Sequence, residues 1–443
     1  MFYINKETAL DKKLLTKMIN KFNLEVQPQL IKYKNYYDGK QAILNKSYND
    51  SSKPCNKTVV NYCLNIANSY AGYLATPGFI SYSSKEDITE IMDILRYNDY
   101  QAQDASLLLD ALVYGVACEL MYIDNDGQTR FKLINPTTCF GVYDDSLTND
   151  LLYFVRIYKA NTWDDSDLHY VDVYSNEDIK HYTMNGTNGT PEFQSAEPHY
   201  FSQCPANIFM LPDEKSIFDC VLSLQDSYNE LLSAEIDDYA AFCDAYLLIE
   251  GAELGDEEAK KMRSNRIIQL PPGASASWLT KTANDTQIEN ELNRIHRDIY
   301  RTAQCPDFSS ESFVGGVSSG IAIQYRLTGM ETRAGNIEGL MKQALQRRFE
   351  IICGIASLKL GEAIFRDVNI AFKRNIPEDI TSVINVVNSL KGSVSDATLL
   401  AQVPFITDVN AELEALQQQK ADNMELYGFT PPTVENEDLD NEE

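Results

Sequence analysis

The spacing of apolar residues predicts a chain built mainly of helices. Apolar side chains recur every three or four positions, which places them on one face of a helix. The stretch 100–119 is apolar on nearly every face and is expected to be buried, whereas the helix at 6–35 is amphipathic and rich in lysine. The predicted helices cover residues 6–35, 59–74, 86–98, 100–119, 213–244, 286–304 and 321–360, with further helices between 377 and 430.

Near the middle of the chain the hydrophobic period changes from that of a helix to that of a strand. Apolar and polar residues alternate on both sides of Asp126-Gly127, a dipeptide typical of hairpin turns. The stretches 139–160 and 168–184 predict two more strand pairs, and 368–374 predicts a short edge strand. Residues 185–197 are rich in Gly, Asn, Thr and Ser and are expected to form a surface loop. These elements predict the α+β fold class, mainly helical.

The most unusual segment, residues 213–258, carries fourteen carboxylates and a single basic residue, Lys215. Its apolar residues nevertheless form a stripe, which predicts a helix of about 30 residues, roughly 45 Å long at 1.5 Å per residue. Because like charges repel at helical spacing and a narrow stripe needs a partner, this helix is not expected to be stable alone. The similar stripe at 286–304 predicts that the two helices pack antiparallel. The acidic segment's stripe consists of Ile217, Val221, Leu224, Tyr228 and Leu231.

The net charge of −27 over 443 residues is unevenly distributed. Residues 1–60 hold eleven Lys and five Asp or Glu, a surplus of +6, so the remainder carries −33. Such asymmetry concerns partners and solubility rather than fold. The nine cysteines are scattered without a C-x-x-C pair, which indicates buried thiols in a reducing cytoplasm. No apolar run reaches the ~18 residues of a membrane span, and the N-terminus lacks the apolar core of a signal peptide.

The chain contains no complete catalytic motif. Residues 316–320 (GVSSG) match the G-x-S-x-G nucleophile elbow, but no histidine follows His296, so the order of the triad is not met. No phosphate-binding G-x-x-x-x-G-K-[ST] is present, and the four dispersed histidines offer little for zinc. We therefore predict a protein without enzymatic activity, cofactor or metal. A hydrolase that uses a carboxylate pair such as Asp237 and Asp238 is the alternative from another class.

Short strings at characteristic spacings give the chain a family resemblance. They are YYDG (36–39), KPCNK (53–57), YAGYL (70–74), ALVYG (111–115), VYDD (142–145), LQDSYN (224–229), FCDAYL (242–247), PDF (306–308) and SGIA (319–322). In this order they resemble the portal proteins of tailed double-stranded DNA bacteriophages, in the branch common among phages of Gram-positive hosts. The resemblance extends from about residue 33 to about residue 423 and depends on order and spacing, since no single string is diagnostic.

The resemblance implies a ring of subunits at one vertex of the capsid, normally twelve in the virion, or thirteen when isolated. The implied protein partners are the terminase large subunit, head-completion or adaptor and tail proteins, and the major capsid and scaffolding proteins. Double-stranded DNA would pass through the channel without sequence specificity, with no role for a membrane. Assembly would take place in the cytoplasm of the host bacterium. A non-portal head-completion or scaffold component is the alternative among phage proteins.

The resemblance also assigns portal regions to this chain. The acidic helix and the helix at 284–305 would form a stem, and the insert between them would form the clip on which other proteins dock. The basic N-terminal helix receives no assignment, and a solvated face of mixed charge is its simplest interpretation. The regions are the wing at 1–212 and 321–376, the stem at 213–244 and 284–305, the clip at 245–283, the tunnel loop at 306–320, the crown at 377–430 and a disordered acidic tail at 431–443.

Three groups of residues are expected to act in this role. The loop group has no Lys or Arg and would line the channel without gripping phosphates by charge; it comprises Ser309, Ser310, Glu311, Ser312, Phe313, Val314, Gly315, Gly316, Val317 and Ser318. The acidic stem face comprises Asp226, Glu230, Glu235, Asp237 and Asp238. The clip residues expected to contact partner proteins are Glu257, Glu258, Lys260, Lys261 and Arg263.

Overall fold

The chain forms two compact units, of which the first contains all the sheet strands found in the described residues. A computed structural model describes residues 2–49, 53–76, 78, 80–159, 163, 167–242, 246–251, 255, 272–279, 285–309, 320–356, 364–374, 385, 387–400 and scattered positions from 403 to 419. The first unit comprises residues 1–316 and 324–375, and the second comprises 317–323 and 376–443.

Helices make up most of the regular structure, and their positions follow the predicted pattern. The helices are α1 Lys12–Lys21, α2 Gln27–Tyr37, α3 Tyr62–Leu74, α4 Thr89–Tyr97, α5 Tyr100–Tyr114, α6 Leu222–Phe242, α7 Asp285–Thr302, α8 Gly320–Ala356 and α9 Asp396–Leu400. A π-helical turn, Phe22–Val26, joins α1 to α2, so the predicted helix at 6–35 is two helices. Among the described residues, none of the helices is long and apolar enough to cross a membrane.

The strands form two larger sheets and two strand pairs. The large sheet has the order β1-β5-β6-β7-β8-β9, with β1 parallel to β5 and the other neighbours antiparallel. The three-stranded sheet has the order β10-β3-β4, and β11–β12 and β13–β2 form pairs. The strands are β1 Phe2–Ile4, β2 Ile80–Ser83, β3 Val116–Ile123, β4 Thr129–Ile134, β5 Cys139–Asp144, β6 Leu151–Tyr158, β7 Leu168–Tyr174, β8 Asp178–Asn185, β9 Glu192–Pro198, β10 Ala206–Met210, β11 Tyr246–Glu250, β12 Ser275–Leu279 and β13 Asn369–Phe372.

The hairpin predicted around Asp126-Gly127 is confirmed. Asp124 donates its N–H to the carbonyl of Gln128 at 3.0 Å, which leaves three residues in the loop between β3 and β4. Gly127 has a φ of +74°, the left-handed conformation that ends a three-residue hairpin loop and that glycine adopts without steric cost. The mixture of helices and antiparallel strands confirms the predicted α+β class.

Two predicted boundaries are wrong. The helix expected at 100–119 ends at Tyr114, because Gly115 has a φ of +82° and lies so close to Glu214 that a Cβ atom would be 2.5 Å from its carbonyl oxygen. The chain then enters β3. The loop expected at 185–197 contains β9, which pairs with β8 although its polar composition gives no apolar alternation. Pairing with β8 thus makes this segment a strand, which its local composition does not indicate.

A buried ion cluster joins three elements of the first unit. Arg348 on α8 is 0% exposed and donates from Nε and Nη2 to Glu119 of β3, at 2.8 and 2.9 Å. Its Nη1 donates to Asp104 of α5, and the guanidinium lies 4.7 Å from the ring centroid of Phe131 on β4. Burial raises the pKa of Asp104. Burial alone would lower the pKa of Arg348, but the charges of Asp104 and Glu119 outweigh this effect and raise the pKa of Arg348. The cluster therefore fixes the position of α8 against α5 and β3.

We expect Arg348→Ala to lower the free energy of unfolding by about 3–5 kcal/mol, because both carboxylates would stay buried without their cation. Urea unfolding at pH 7 measures this loss. Arg96→Ala is the control, since the Arg96–Asp93 pair is exposed and a pair of this kind contributes about 0–1 kcal/mol. Similar losses in the two variants would contradict the role assigned to the cluster.

Candidate functional site

Helix α6, the centre of the candidate site, begins at Leu222, nine residues later than the acidic pattern predicts. Asp213 and Glu214 have φ values of +58° and +55°, which lie outside the right-handed helical region. The chain that follows packs on the end of α5, where the Ile217 N–H donates to the carbonyl of Leu112 at 2.9 Å. The first acidic residues of the segment therefore belong to a turn and not to the helix.

One face of α6 carries a polar residue at every fourth position, and we call these four buried residues the polar ladder. A helix rises about 6 Å over four residues and an extended chain about 6.6 Å over two, so the ladder can match alternate N–H groups of residues 56–62. The acceptors are Asp237 Oδ1, Ser233 Oγ, Asn229 Oδ1 and Gln225 Oε1, which bind the N–H groups of Asn56 (2.6 Å), Thr58 (3.0 Å), Val60 (3.0 Å) and Tyr62 (3.0 Å). The acidic helix thus has a partner within its own subunit.

Two of the five carboxylates predicted to form an acidic surface are instead bonded to the N-terminal region. Asp237 is 8% exposed, and its Oδ2 lies 2.8 Å from Lys46 Nζ. Asp226 accepts a hydrogen bond from the Tyr36 hydroxyl at 2.8 Å, and burial together with this carboxylate raises the pKa of Tyr36. Neither carboxylate is therefore fully solvated in the subunit, because hydroxyl and basic groups from distant positions in the chain reach them.

The other three predicted carboxylates do reach the surface of the subunit. Glu230 and Asp238 are exposed, and Glu235 is half-buried. No Lys or Arg occurs in Leu222–Phe242, so this side of α6 is uniformly negative. Whether these three line a channel stays a prediction.

Aromatic side chains make the contact between α3, α6 and α7. The ring of Tyr62 lies 5.1 Å from Tyr228, 5.4 Å from His296 and 5.8 Å from Tyr300, in each case edge to face. The Tyr62 hydroxyl and His296 Nδ1 are 2.9 Å apart. Burial raises the pKa of Tyr300 to about 12, as expected for a phenol packed in this cluster. Helix α3 thus packs against both of the helices, α6 and α7, that are predicted to pack against each other.

The predicted tunnel loop starts from an anchored segment. Asp307 Oδ2 lies 3.1 Å from His296 Nε2 on α7, and Asp307 Oδ1 accepts from the N–H and hydroxyl of Ser309 at 3.0 and 2.6 Å. Burial alone would raise the pKa of Asp307, but hydrogen bonds from Ser309 and His296 outweigh it and hold the pKa below its ordinary value. Of the ten predicted loop residues only Ser309 is described, and 310–318 lie outside the described residues.

The predicted clip is described only at its two ends. Strands β11 and β12 pair antiparallel, with Tyr246 opposite Leu279 and Glu250 opposite Ser275. The five predicted docking residues fall between these strands and lie outside the described residues: Glu257, Glu258, Lys260, Lys261 and Arg263.

The described part of the chain holds no cluster of three or more His, Cys, Asp or Glu residues that could bind a metal ion. The carboxylate pair considered for a hydrolase is divided between different surroundings, because Asp237 is bonded to Lys46 and Asn56 whereas Asp238 is exposed. This pair therefore does not form a shared metal site or an acid–base dyad.

Comparison with known proteins identifies the family. A model of the family described as "Phage portal protein, SPP1 Gp6-like" matches residues 17–426 of the chain. The chain belongs to this portal family. It is also similar to the portal protein of Bacillus phage SPP1, with 20% identity over 455 aligned positions that cover 94% of this chain and 88% of the relative.

The family match confirms the resemblance drawn from the sequence strings and the prediction of a phage portal protein. Phage portal proteins are structural components of the virion at the capsid vertex and are not enzymes. The match therefore decides against the two alternatives, a hydrolase and a non-portal phage component.

The polar ladder of this portal protein was not predicted from sequence. Its signal is weak, because Gln225, Asn229 and Ser233 are ordinary on a solvated helix face and only their spacing by four is unusual. Their partners are separated from them by about 160–180 residues of chain, so no local pattern reveals the match.

We expect Asp237→Ala to lower the free energy of unfolding by about 1–3 kcal/mol at pH 7, since Lys46 and the Asn56 N–H lose their acceptor. Burial alone would raise the pKa of Asp237, but hydrogen bonds from Lys46 and Asn56 hold it below its ordinary value. The contribution is therefore complete above about pH 4 and is lost as the pH falls through the folded-state pKa.

Chemical denaturation of wild type and variant at pH 7 and pH 3 measures this effect. Glu230→Ala is the control, because this carboxylate is exposed on the same helix. A loss for Asp237→Ala that stays the same at both pH values would contradict the electrostatic explanation.

Proposed function

We propose that this portal protein assembles as a ring of twelve subunits that conducts double-stranded DNA into and out of the capsid. In this proposal α6 and α7 form the stem, residues 245–283 the clip, 306–320 the tunnel loop and 377–430 the crown. The clip receives the terminase large subunit during packaging and head-completion and tail proteins afterwards. Support comes from the family match over residues 17–426 and from the helix pair that brackets the insert.

The observation that best supports assembly into a ring is the incomplete burial of the apolar stripe on α7. Ile299 is fully buried, but Ile288, Leu292 and Ile295 remain half-buried although α7 packs against α6. Apolar side chains gain about 25 cal/mol for each Å² removed from water, so a stripe left half open favours a further partner. In a cyclic assembly each subunit presents one surface to one neighbour and a different surface to the other, and an adjacent subunit would complete this burial.

The charge of α6 suits a channel wall that does not retain DNA. Glu230, Glu235 and Asp238 have the same sign as phosphate and repel it over about one Debye length, ~8 Å at physiological salt. Such a wall also lacks Lys and Arg side chains, whose contacts with phosphates release counterions from DNA and so favour binding. Helix α7 differs, because it carries Arg294, Arg297 and Arg301. The proposal therefore assigns α6, and not α7, to the lumen.

We expect the purified chain to form rings. Twelve or thirteen copies of the 50.1 kDa chain would have a mass of about 600–650 kDa. Light scattering measures the mass, and a ring reconstruction locates the axis. A monomer or dimer at micromolar concentration would contradict the proposal. In the reconstruction we expect Phe313 and Val314 at the channel, and a position away from the axis would refute the assignment of the tunnel loop.

We expect the triple change Glu230→Lys, Glu235→Lys and Asp238→Lys to make the ring retain DNA, because it converts a repelling surface into a phosphate-binding one. Retention of linear double-stranded DNA on immobilised rings, measured from 50 to 200 mM salt, should rise and become strongly salt-dependent. The matched control changes three exposed carboxylates outside α6, Glu86, Glu90 and Asp126, to Lys. Equal retention by both variants would show that α6 has no special position.

A further inference from the structure

The three-stranded sheet has two edges, and one of them is closed by a side chain. Asn98 is 5% exposed and lies beside β4. Its Nδ2 donates to the Thr129 carbonyl at 3.0 Å, and its Oδ1 accepts the Phe131 N–H at 3.0 Å. Asn98 thus bonds two of the outer main-chain groups of β4, as a neighbouring strand would. This side of the sheet is therefore partly closed within the subunit.

The opposite edge, formed by β10, has no such closure. The Met121 N–H donates to the Pro205 carbonyl at 2.8 Å, and the Leu211 N–H donates to the Gly115 carbonyl at 2.9 Å. Because hydrogen-bonded pairs alternate along an antiparallel ladder, the odd-numbered residues of β10 bond to β3. The main-chain groups of Ile208 and Met210 therefore point away from β3, and among the described residues none forms a hydrogen bond with them.

This open edge faces a cavity of about 750 Å³ within the first unit. Its walls are β10, the hairpin of β5 and β6 with Tyr143 and Leu151, and α8 with Leu340, Ala344 and Arg347. Asn207 also lines the cavity; it is 1% exposed, and no described residue donates to its Oδ1. A buried acceptor and an open strand edge beside a cavity with mixed polar and apolar walls indicate a missing peptide-like group.

We infer that this cavity receives an extended strand from a second copy of the chain, and that β9 supplies it. The inference rests on the ring proposed above. Cyclic assembly needs two different complementary surfaces on each subunit, and an open strand edge can be paired by another open edge. Main-chain hydrogen bonds from β9 of one subunit to Ile208 and Met210 of the next would join the large sheet of one to the three-stranded sheet of the other.

Strand β9 is suited to this pairing by its position and composition. It is the terminal strand of the large sheet, and all seven of its residues are exposed. Its central residues, Phe193–Ala196 in sequence, carry no charge and no proline, two of the features by which edge strands avoid pairing, although the ladder with β8 shifts register at Gln194. The other terminal strand, β1, has three residues and offers a much shorter edge. Exposed edges of this length are normally covered, and a neighbouring subunit provides the cover.

Disulfide trapping tests this pairing directly. Gln194→Cys or Ser195→Cys is combined with Ile208→Cys or Met210→Cys, which gives four pairs that sample the possible registers. The exposed Cys55 and Cys220 are first replaced by Ser. Paired strands hold Cα atoms about 4.5–5.5 Å apart, within the range that a disulfide needs. Rings assembled from equal amounts of ¹⁵N-labelled and unlabelled chains distinguish links between copies from links within one.

We expect at least one of the four pairs to give mixed-isotope disulfides after mild oxidation, and every single-cysteine variant to give none. Rings without any such link, or links only within one copy, would overturn the inference and leave the ring proposal intact. Failure of the chain to form rings at all would overturn both. Links that form between copies in the absence of rings would also contradict it.

A proline variant gives a second, independent measurement. Met210→Pro removes an N–H that β3 does not use, so the subunit keeps its own ladder but cannot bond a strand added at that residue. Met210→Ala is the matched control, because it shortens the same side chain and keeps the N–H. We expect the concentration for half-maximal ring assembly to rise about tenfold or more for Met210→Pro relative to Met210→Ala. Equal assembly by two folded variants would overturn the inference; if Met210→Pro does not fold, the disulfide pairs decide.

Discussion

The need of buried main-chain N–H and C=O groups for hydrogen-bond partners determines much of this structure. Residues 56–62 form no strand, yet four of their N–H groups are bonded by the polar ladder of α6. One edge of the three-stranded sheet is partly closed by Asn98, and the other opens into a cavity beside Ile208 and Met210. The same requirement thus explains the buried polar face of an acidic helix and supports the proposed position of a neighbouring subunit.

The negative charge of the chain has two separate uses. Asp104, Glu119 and Asp237 are buried with Arg348 or Lys46, where each carboxylate stabilises a contact between distant segments. Removal of one partner from such a pair is costly because the other stays buried. An exposed carboxylate such as Glu230 contributes little to stability. In the proposed channel, the exposed carboxylates of α6 set the electrostatic potential that DNA meets.

Much of the helix and hairpin pattern follows from local sequence, but several boundaries do not. Gly127 ends a hairpin loop because its backbone conformation is a local property. Gly115 ends α5 because Glu214, about a hundred residues away, packs against it. Glu119 interrupts an apolar run, and its partner Arg348 carries no local sign of burial. In the candidate site, no local sequence feature distinguishes Asp226 and Asp237, which are bonded to the N-terminal region, from the exposed Glu230. Only contacts with residues far away in the chain make them different.

The sequence by itself determined the family, the α+β class, the helix pair that brackets an insert and the absence of a complete catalytic motif. These properties depend on periodicity, order and spacing, which are readable along the chain. The tertiary structure decided which carboxylates are buried, why β9 is a strand, and which sheet edge is open. Those outcomes depend on contacts between residues far apart in sequence. No local sequence pattern shows which of these distant groups form hydrogen bonds with each other.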